Sequence, residues 1–342
     1  MKKELALGVG AVLVAGFGLA SLRNRGKKTE QKPDKTPEDS YPEHTIHVTT
    51  TFDSGNINYT IIRGFTELFP HPITAVPFGE KASGIVKLEK SVLSAKPDGY
   101  NLYIASNVDT IVANADVEKP NYLLRKFIPI GLISSTPNVL LINKKIEVTT
   151  VEEFVLYAKK TGLSFGSSGY GTRSHLACKL FNHLGKLKMN EHFYKNEDSV
   201  LSALVDGEIQ MAIVPEYQAY EHIKNGKVVA LAVTSIEKCN AFPDLPTIDE
   251  TVVNKKRIFS GYDVTSFLSL MAPPSTPKEI IAKLNDGLNS VLKDEKFIQF
   301  CNDNYVTSGT PMNQKQIHEF IRDSTVKWNS VLKTCGLKLP FV

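Results

Sequence analysis

The chain has 342 residues, 42% of them apolar and 22% charged, with 40 basic against 36 acidic side chains. That length predicts two domains, and the composition belongs to a soluble globular protein rather than a disordered or fibrous one. The positive excess lies in residues 1–30, which hold six basic and two acidic side chains; the rest is neutral, with 34 of each, so charge gives no case for a nucleic-acid partner.

Lys2 and Lys3 precede an 18-residue stretch, Leu5 to Leu22, whose only polar side chain is Ser21, and Arg23, Arg25, Lys27 and Lys28 follow. A charged start, an apolar middle and small residues at Gly18 and Ala20 predict a secretory signal; the length also fits a membrane anchor. Residues 1–28 are therefore read as signal peptide or anchor, and the polar, proline-containing residues 29–44 as a flexible tether. No cysteine stands near the leader for lipid attachment.

From Thr45 strands and helices alternate. Thr45–Thr51 is a β-branched strand, Tyr59–Leu68 a helix, Ile73–Pro77 a strand and Ile85–Ser94 a helix. Pro97-Asp98-Gly99 makes a turn into strand Asn101–Ala105, and Val139–Ile142 is the next strand. Thr150 caps a helix to Thr161, with Glu152 and Glu153 in its first turn. Leu176–Leu184 and Ser199–Val205 are helices, and Gln210–Val214 and Val228–Val233 apolar strands. Strand Leu268–Ala272, helix Pro277–Leu292 and a C-terminal helix, Asn313–Thr334, follow; Trp328 on the last is read as core packing. This alternation predicts largely parallel sheets with helices on both faces.

One stretch carries a chemical reading. Phe165-Gly166-Ser167-Ser168-Gly169-Tyr170-Gly171-Thr172 leads from a short apolar segment into the helix that begins near His175. Glycines permit a tight turn and close backbone approach, and the first N–H groups of a helix are unpaired and partly positive. A turn of this kind with added hydroxyls is an anion site. Arg173 is either an anion partner or a solvated cation, and His175 either caps, packs or binds. Ser106 and Asn107, after strand Asn101–Ala105, are placed to supply polar contacts or to cap a helix, and Tyr194-Lys195 follows a further strand candidate.

Enzyme and metal signatures fail on spacing. Gly169 to Ser174 is one residue short of the dinucleotide fingerprint, and Glu191, at about the right distance, is read as preceding its strand rather than ending it. Gly166-Ser167-Ser168-Gly169 is no nucleophile elbow, and His71, His175, His183 and His192 lack zinc spacing. Cys178, Cys239, Cys301 and Cys335 form no CxxC pair. No cofactor, metal or catalytic residue is expected.

Several short stretches, in order, resemble the solute-binding receptors of tripartite tricarboxylate transporters, the Bug receptor family. They are Lys96-Pro97-Asp98-Gly99-Tyr100, Thr136-Pro137-Asn138-Val139-Leu140, the Phe165–Ala177 loop, Asp206-Gly207-Glu208-Ile209-Gln210-Met211, His222-Ile223-Lys224-Asn225-Gly226-Lys227 and Ala272-Pro273-Pro274-Ser275-Thr276-Pro277. The resemblance implies an α/β, two-domain periplasmic-binding-protein-like (type II) fold with mostly parallel sheets and an interdomain cleft that closes by hinge motion. It implies domain 1 from 45–135 plus 263–342 and domain 2 from 136–262. It also implies a periplasmic receptor, soluble or tethered by residues 5–22, that captures a small organic anion and delivers it to permease subunits; the alternative is a ligand sensor for a membrane signalling partner. Carried over by position, the ligand residues are Ser167, Ser168, Gly169, Gly171, Thr172 and His175 with Tyr194 on domain 2, and Phe52, Ser54, Gly55 and Asn56 on domain 1; Ser106 joins them from its place at the end of its strand. The first-domain loop departs from the family pattern: Asn56 replaces its second glycine, Tyr59 its acid, and Asp53 adds a charge that would repel a carboxylate unless turned away. Phe78–Gly84 replaces the next glycine-rich loop, and Val214 stands where an acid is usual.

Overall fold

Apolar side chains at alternating strand positions sort this chain into its cores. The computed structural model describes residues 40–77, 92–107 and 127–336. The leader, most of the tether, the Phe78–Gly84 loop and most of the expected helix Ile85–Ser94 lie outside these residues. The elements in order are β1 (Ile46–Thr50), α1 (Ile57–Leu68), β2 (Ile73–Pro77), β3 (Asn101–Ser106), β4 (Ile128–Thr136), β5 (Asn138–Asn143), α2 (Val151–Ala158), β6 (Ser164–Ser167), α3 (Arg173–Leu184) and β7 (Asn190–Phe193). There follow α4 (Glu197–Asp206), β8 (Met211–Pro215), α5 (Glu216–Lys224), β9 (Val228–Val233), β10 (Ser266–Ala272), α6 (Lys278–Leu292), α7 (Glu295–Asp303), β11 (Thr307–Ser308) and α8 (Gln314–Thr334).

The strands form two sheets, ordered β11-β4-β10-β3-β1-β2 and β7-β6-β8-β5-β9. In β5, Val139 and Leu141 face one core with Ala212 and Val214 of β8, while Leu140 and Ile142 face another with Met211 and Ile213. That division is the period-2 geometry of a strand covered on both faces. The core shared by Leu140 and Ile142 runs on to Tyr103, Leu132, Phe267 and Met271 of the other sheet, and Trp328 of α8 is buried in it.

The sheets are mixed rather than largely parallel. β1 runs parallel to β2 and β3, and β6 parallel to β7 and β8, but β10 is antiparallel to β3 and β4, and β5 antiparallel to β8 and β9. The cause is the path of the chain. It leaves the first sheet along β4, crosses at Pro137 straight into β5, and returns between β9 and β10. A strand that arrives from the other sheet, rather than through a crossover helix, is not bound to the parallel direction.

The two crossing segments are tied together by buried hydrogen bonds. The Asn138 N–H donates to Thr234 Oγ1 at 2.8 Å, Thr234 Oγ1 donates to the Val264 carbonyl at 2.9 Å, and Asn138 Nδ2 donates to the same carbonyl at 2.8 Å. A single hydroxyl thus serves as acceptor and donor between segments far apart in sequence.

Local signals account for several helix starts. Thr150 and Glu153 form a reciprocal capping box on α2, and Asn313 and Gln316 one on α8. β4, α5 and α7 were not anticipated. Pro129 and Gly131 break the strand pattern in β4; its pairing with β10 absorbs them through two register shifts, and Gly131 leaves room for Leu288 of α6. Tyr41, assigned to the tether from the sequence, is buried and donates its hydroxyl to the Gly99 carbonyl at 2.8 Å. Among the described residues no helix is long and apolar enough to cross a membrane.

Replacing Thr234 by Val keeps the volume but strands the Asn138 N–H and leaves the Val264 carbonyl with the Asn138 side-chain amide alone. The expected loss of unfolding free energy is about 1–3 kcal/mol, read as a lower denaturant midpoint at unchanged slope, with Thr234→Ser retaining most of the wild-type value.

Candidate functional site

The parallel strands β6, β7 and β8 end along one edge of the second sheet, and each leads into a helix: β6 into α3, β7 into α4, β8 into α5. Helix N-termini gathered at the carboxyl ends of parallel strands are where an open α/β sheet presents unpaired N–H groups. The Gly/Ser loop sits there, between Ser167 and Arg173.

Gly169 and Gly171 adopt φ of +128° and +76°, which a β-carbon disfavours; these two positions need glycine. Thr172 caps α3: its Oγ1 accepts from the His175 N–H at 3.4 Å and donates to the Gly169 carbonyl at 2.7 Å. The Gly171 N–H donates to His175 Nδ1 at 3.0 Å, the Ser168 N–H to Ser174 Oγ at 3.2 Å, and the Thr172 N–H to the Gly169 carbonyl at 3.3 Å. Much of the loop's donor capacity therefore holds the loop itself. The N–H groups of Gly169, Arg173 and Ser174 make none of these bonds.

His175 is fully buried, and its Nε2 meets Glu191 Oε2 at 3.3 Å, a carboxylate that also takes Lys179 Nζ at 3.1 Å. Burial lowers the pKa of His175 against the raising pull of Glu191. A neutral ring satisfies both contacts, with Nδ1 accepting and Nε2–H donating. Protonation would place an N–H against the Gly171 N–H. His175 is thus a positioning group for the loop, packed 5.2 Å from the rings of Tyr170 and Phe193. Glu191, expected ahead of its strand, lies within β7, because Asn190 already pairs with Ser164.

Other residues singled out from the sequence divide into groups. Ser167 is buried at the end of β6, and its carbonyl accepts the Tyr194 N–H at 2.9 Å. So Ser167, Ser168, Gly169, Gly171, Thr172, His175 and Tyr194 form one neighbourhood. Lys195 is exposed. Phe52, Ser54, Gly55, Asn56 and Ser106 belong to the other sheet, after the carboxyl end of β1 or at that of β3. There Asn56 caps α1 by accepting from the Asn58 N–H at 2.9 Å, and Phe52 is half-buried against the core of that sheet. Asp53 turns its carboxylate onto the Gly55 N–H at 3.2 Å. Asn107 is buried and consumed by strand β10, accepting from the Phe267 N–H at 3.0 Å and donating to the Thr265 carbonyl at 3.1 Å.

Sequence reasoning missed Glu197, Glu216 and Tyr217. Glu197 opens α4 and accepts from Ser168 Oγ at 2.7 Å; Glu216 opens α5 and is buried. Burial raises both carboxyls, Glu216 to about 8, and the nearby Arg173 charge opposes the rise at each. Tyr217 is raised by burial too, again against Arg173. Arg173 is half-buried, and its charge acts on both acids and on Tyr217. The available signal was positional, since each acid is the first residue after a strand-to-helix transition. Among the described residues no three His, Cys, Asp or Glu side chains are grouped to hold a metal ion.

Comparison with known proteins gives a consistent picture. Residues 76–337 match the family described as "Tripartite tricarboxylate transporter family receptor". A UPF0065 protein of Bordetella pertussis is 28% identical, over 88% of this chain and 92% of the relative. A TctC solute binding protein from Polaromonas, without ligand, superposes with a TM-score of 0.70 at 20% identity, over 86% of this chain and 99% of that one. An R. palustris protein with adipate superposes at 0.65 and 23% identity, over 86% and 98%. The two solved structures establish the periplasmic-binding-protein fold.

The neutral state of His175 has a consequence for acid stability. Below pH 6.5 the unfolded chain protonates this side chain while the folded chain resists, so stability falls as pH drops toward the lowered folded pKa. His175→Gln, which keeps an acceptor for the Gly171 N–H, is expected to lessen that fall between about pH 6.5 and 5, measured as the pH dependence of the denaturant midpoint.

Proposed function

Because the chain belongs to the tripartite tricarboxylate transporter receptor family, we propose that it captures a small carboxylate or related organic anion in the periplasm and delivers it to membrane permease subunits. The reading makes it a binding protein that leaves its ligand chemically unchanged. The observation that carries it is the Gly/Ser loop, closed at Gly169 and Gly171 with positive φ and emptying into the N-terminus of α3 beside the starts of α4 and α5. Unpaired helix-start N–H groups and hydroxyls favour negative charge without a dedicated counter-ion. The adipate held by the R. palustris relative is an anion of the class proposed.

In this reading two domains, 45–135 with 263–342 and 136–262, close on the ligand. The loop on the second domain provides Ser167, Ser168, Gly169, Gly171 and Thr172, with His175 holding their geometry and Tyr194 alongside. The first domain provides Ser54, Gly55, Asn56 and Ser106 with Phe52 behind them. Bending falls on the crossing segments at Pro137 and between Thr234 and Val264, the only places where the described chain passes from one sheet to the other. A leader at residues 1–28 would export the chain or hold it at the membrane.

A thermal-shift screen of dicarboxylates, tricarboxylates, aromatic acids and amino acids tests the reading. Ligand at a hundredfold excess over Kd adds about 2.7 kcal/mol, a shift of several degrees. Gly171→Val, which forces a β-branched residue to positive φ, is expected to weaken that hit by about tenfold or more while the unliganded protein still melts cooperatively. Unaltered binding by this variant would remove the loop from the site.

A further inference from the structure

The second sheet ends at two edge strands, and only one of them is guarded. β7 closes one end with Asn190, Glu191, His192 and Phe193, an exposed strand of mostly polar side chains. β9 closes the other with Val228-Val229-Ala230-Leu231-Ala232-Val233, six apolar residues without a charge or a proline. Charged side chains and prolines are what keep a free strand edge from pairing with another chain. β9 has neither.

The chain itself extends this edge at one point. The Val233 N–H donates to the Pro246 carbonyl and the Ile248 N–H to the Val233 carbonyl, both at 2.9 Å, in a parallel bridge between Val233 and Thr247. The pairing goes no further, because the Leu245 N–H turns back to the Phe242 carbonyl at 3.1 Å. Among the described residues no strand or bridge runs beside residues 228–232 on that side. The outward N–H and C=O groups of such an edge are a template for one more strand.

A groove of about 550 Å³ lies along the same stretch, between Ala230 and Leu231 of β9, the start of α2 and the segment 244–252. Val151, Leu245 and Val252 supply its apolar wall, and Val252 is 46% exposed. Its charge has one sign: Glu152, Asp244 and Glu250 line it, and no Lys or Arg does. Glu152 Oε1 accepts from the Asn254 N–H and Glu250 Oε2 from the Thr247 N–H, each at 3.3 Å, so main-chain donors position both carboxylates without cancelling their charge. None of the three acids is in an ion pair among the described residues. A second copy of β9 laid on this edge would set acids against acids, whereas a basic segment meets complementary charge.

We propose that the free edge of β9 takes an extended segment of a partner protein as a further strand of the second sheet, with lysine or arginine side chains of that segment meeting Glu152, Asp244 and Glu250. Main-chain hydrogen bonds to β9 supply the affinity, and the three acids select for charge. The surface is separate from the Gly/Ser loop, which follows β6, since β8 and β5 stand between β6 and β9. The inference therefore holds or fails independently of anion capture.

Short labelled peptides test it on the full chain by fluorescence anisotropy: one alternating lysine with valine, one with glutamate in place of lysine, and one with the lysine sequence but N-methylated amides. The unmodified lysine peptide is expected to bind about tenfold or more tightly than either control at low salt, and to weaken as added salt screens the acids. Hydrogen exchange should slow at residues 228–232 when it binds. The triple variant Glu152→Gln, Asp244→Asn and Glu250→Gln keeps acceptors for the Asn254 and Thr247 N–H groups, and should lose the preference for lysine over glutamate while melting cooperatively. Equal binding of the N-methylated peptide, unchanged exchange at residues 228–232, a charge preference that survives the triple variant, or no binding of the lysine peptide overturns the inference. So does a dimer, seen by sedimentation, that protects the same residues, because it assigns the edge to a second copy.

Discussion

The structure depends on a small set of buried hydrogen bonds where the chain passes between its two sheets. Asn138, Thr234 and the Val264 carbonyl lie on segments separated by up to 126 residues, yet they share one hydroxyl and one side-chain amide in the interior. A buried backbone N–H left without a partner is costly, so each crossing segment is specified by the others. From this junction β5 enters the second sheet between β8 and β9, and β10 returns between β3 and β4. The antiparallel pairs follow from that path. So does the position of Glu216, whose strand ends where β5 begins.

The loop after β6 spends its polar groups in two ways. Main-chain N–H groups of Ser168, Gly171 and Thr172 bond within the loop or to Ser174 and His175, giving it a defined shape before any ligand arrives. A preformed shape lowers the ordering cost of binding. Below it lies an acid-rich layer that the protein leaves incompletely paired. Glu197 connects the two, since Ser168 Oγ donates to one of its oxygens while the other has no partner. Arg173, the first residue of α3, acts on that same carboxyl.

Much of the scaffold was legible because its signals are local. Val228–Val233 and Ile73–Pro77 were read with the bounds they adopt, since β-branched and apolar runs between turn residues admit little else. Thr150 and Asn313 mark helix starts by capping, an interaction completed within three residues. The Gly/Ser turn into a helix was visible for the same reason: Gly169, Gly171 and Thr172 determine one another's conformation at short range. β4 was not legible, because Pro129 and Gly131 oppose a strand locally and only pairing with β10 and packing under Leu288 make it one.

The sequence by itself determined the family, the alternating strands and helices, and the anion-suited loop, all properties written into neighbouring residues or ordered motifs. Only the tertiary structure decided how the polar side chains are used. Asn107, read as a polar contact or a helix cap, went to strand β10, and Asn56 gives its Oδ1 to the cap of α1, whereas the Arg173 charge acts on Glu197 and Glu216, each the first residue of another helix. The physical reason is that burial and partnership depend on which strands become neighbours. Setting β8 between β6 and β5 takes the Glu216 carboxyl out of water, a circumstance that no window along the chain contains.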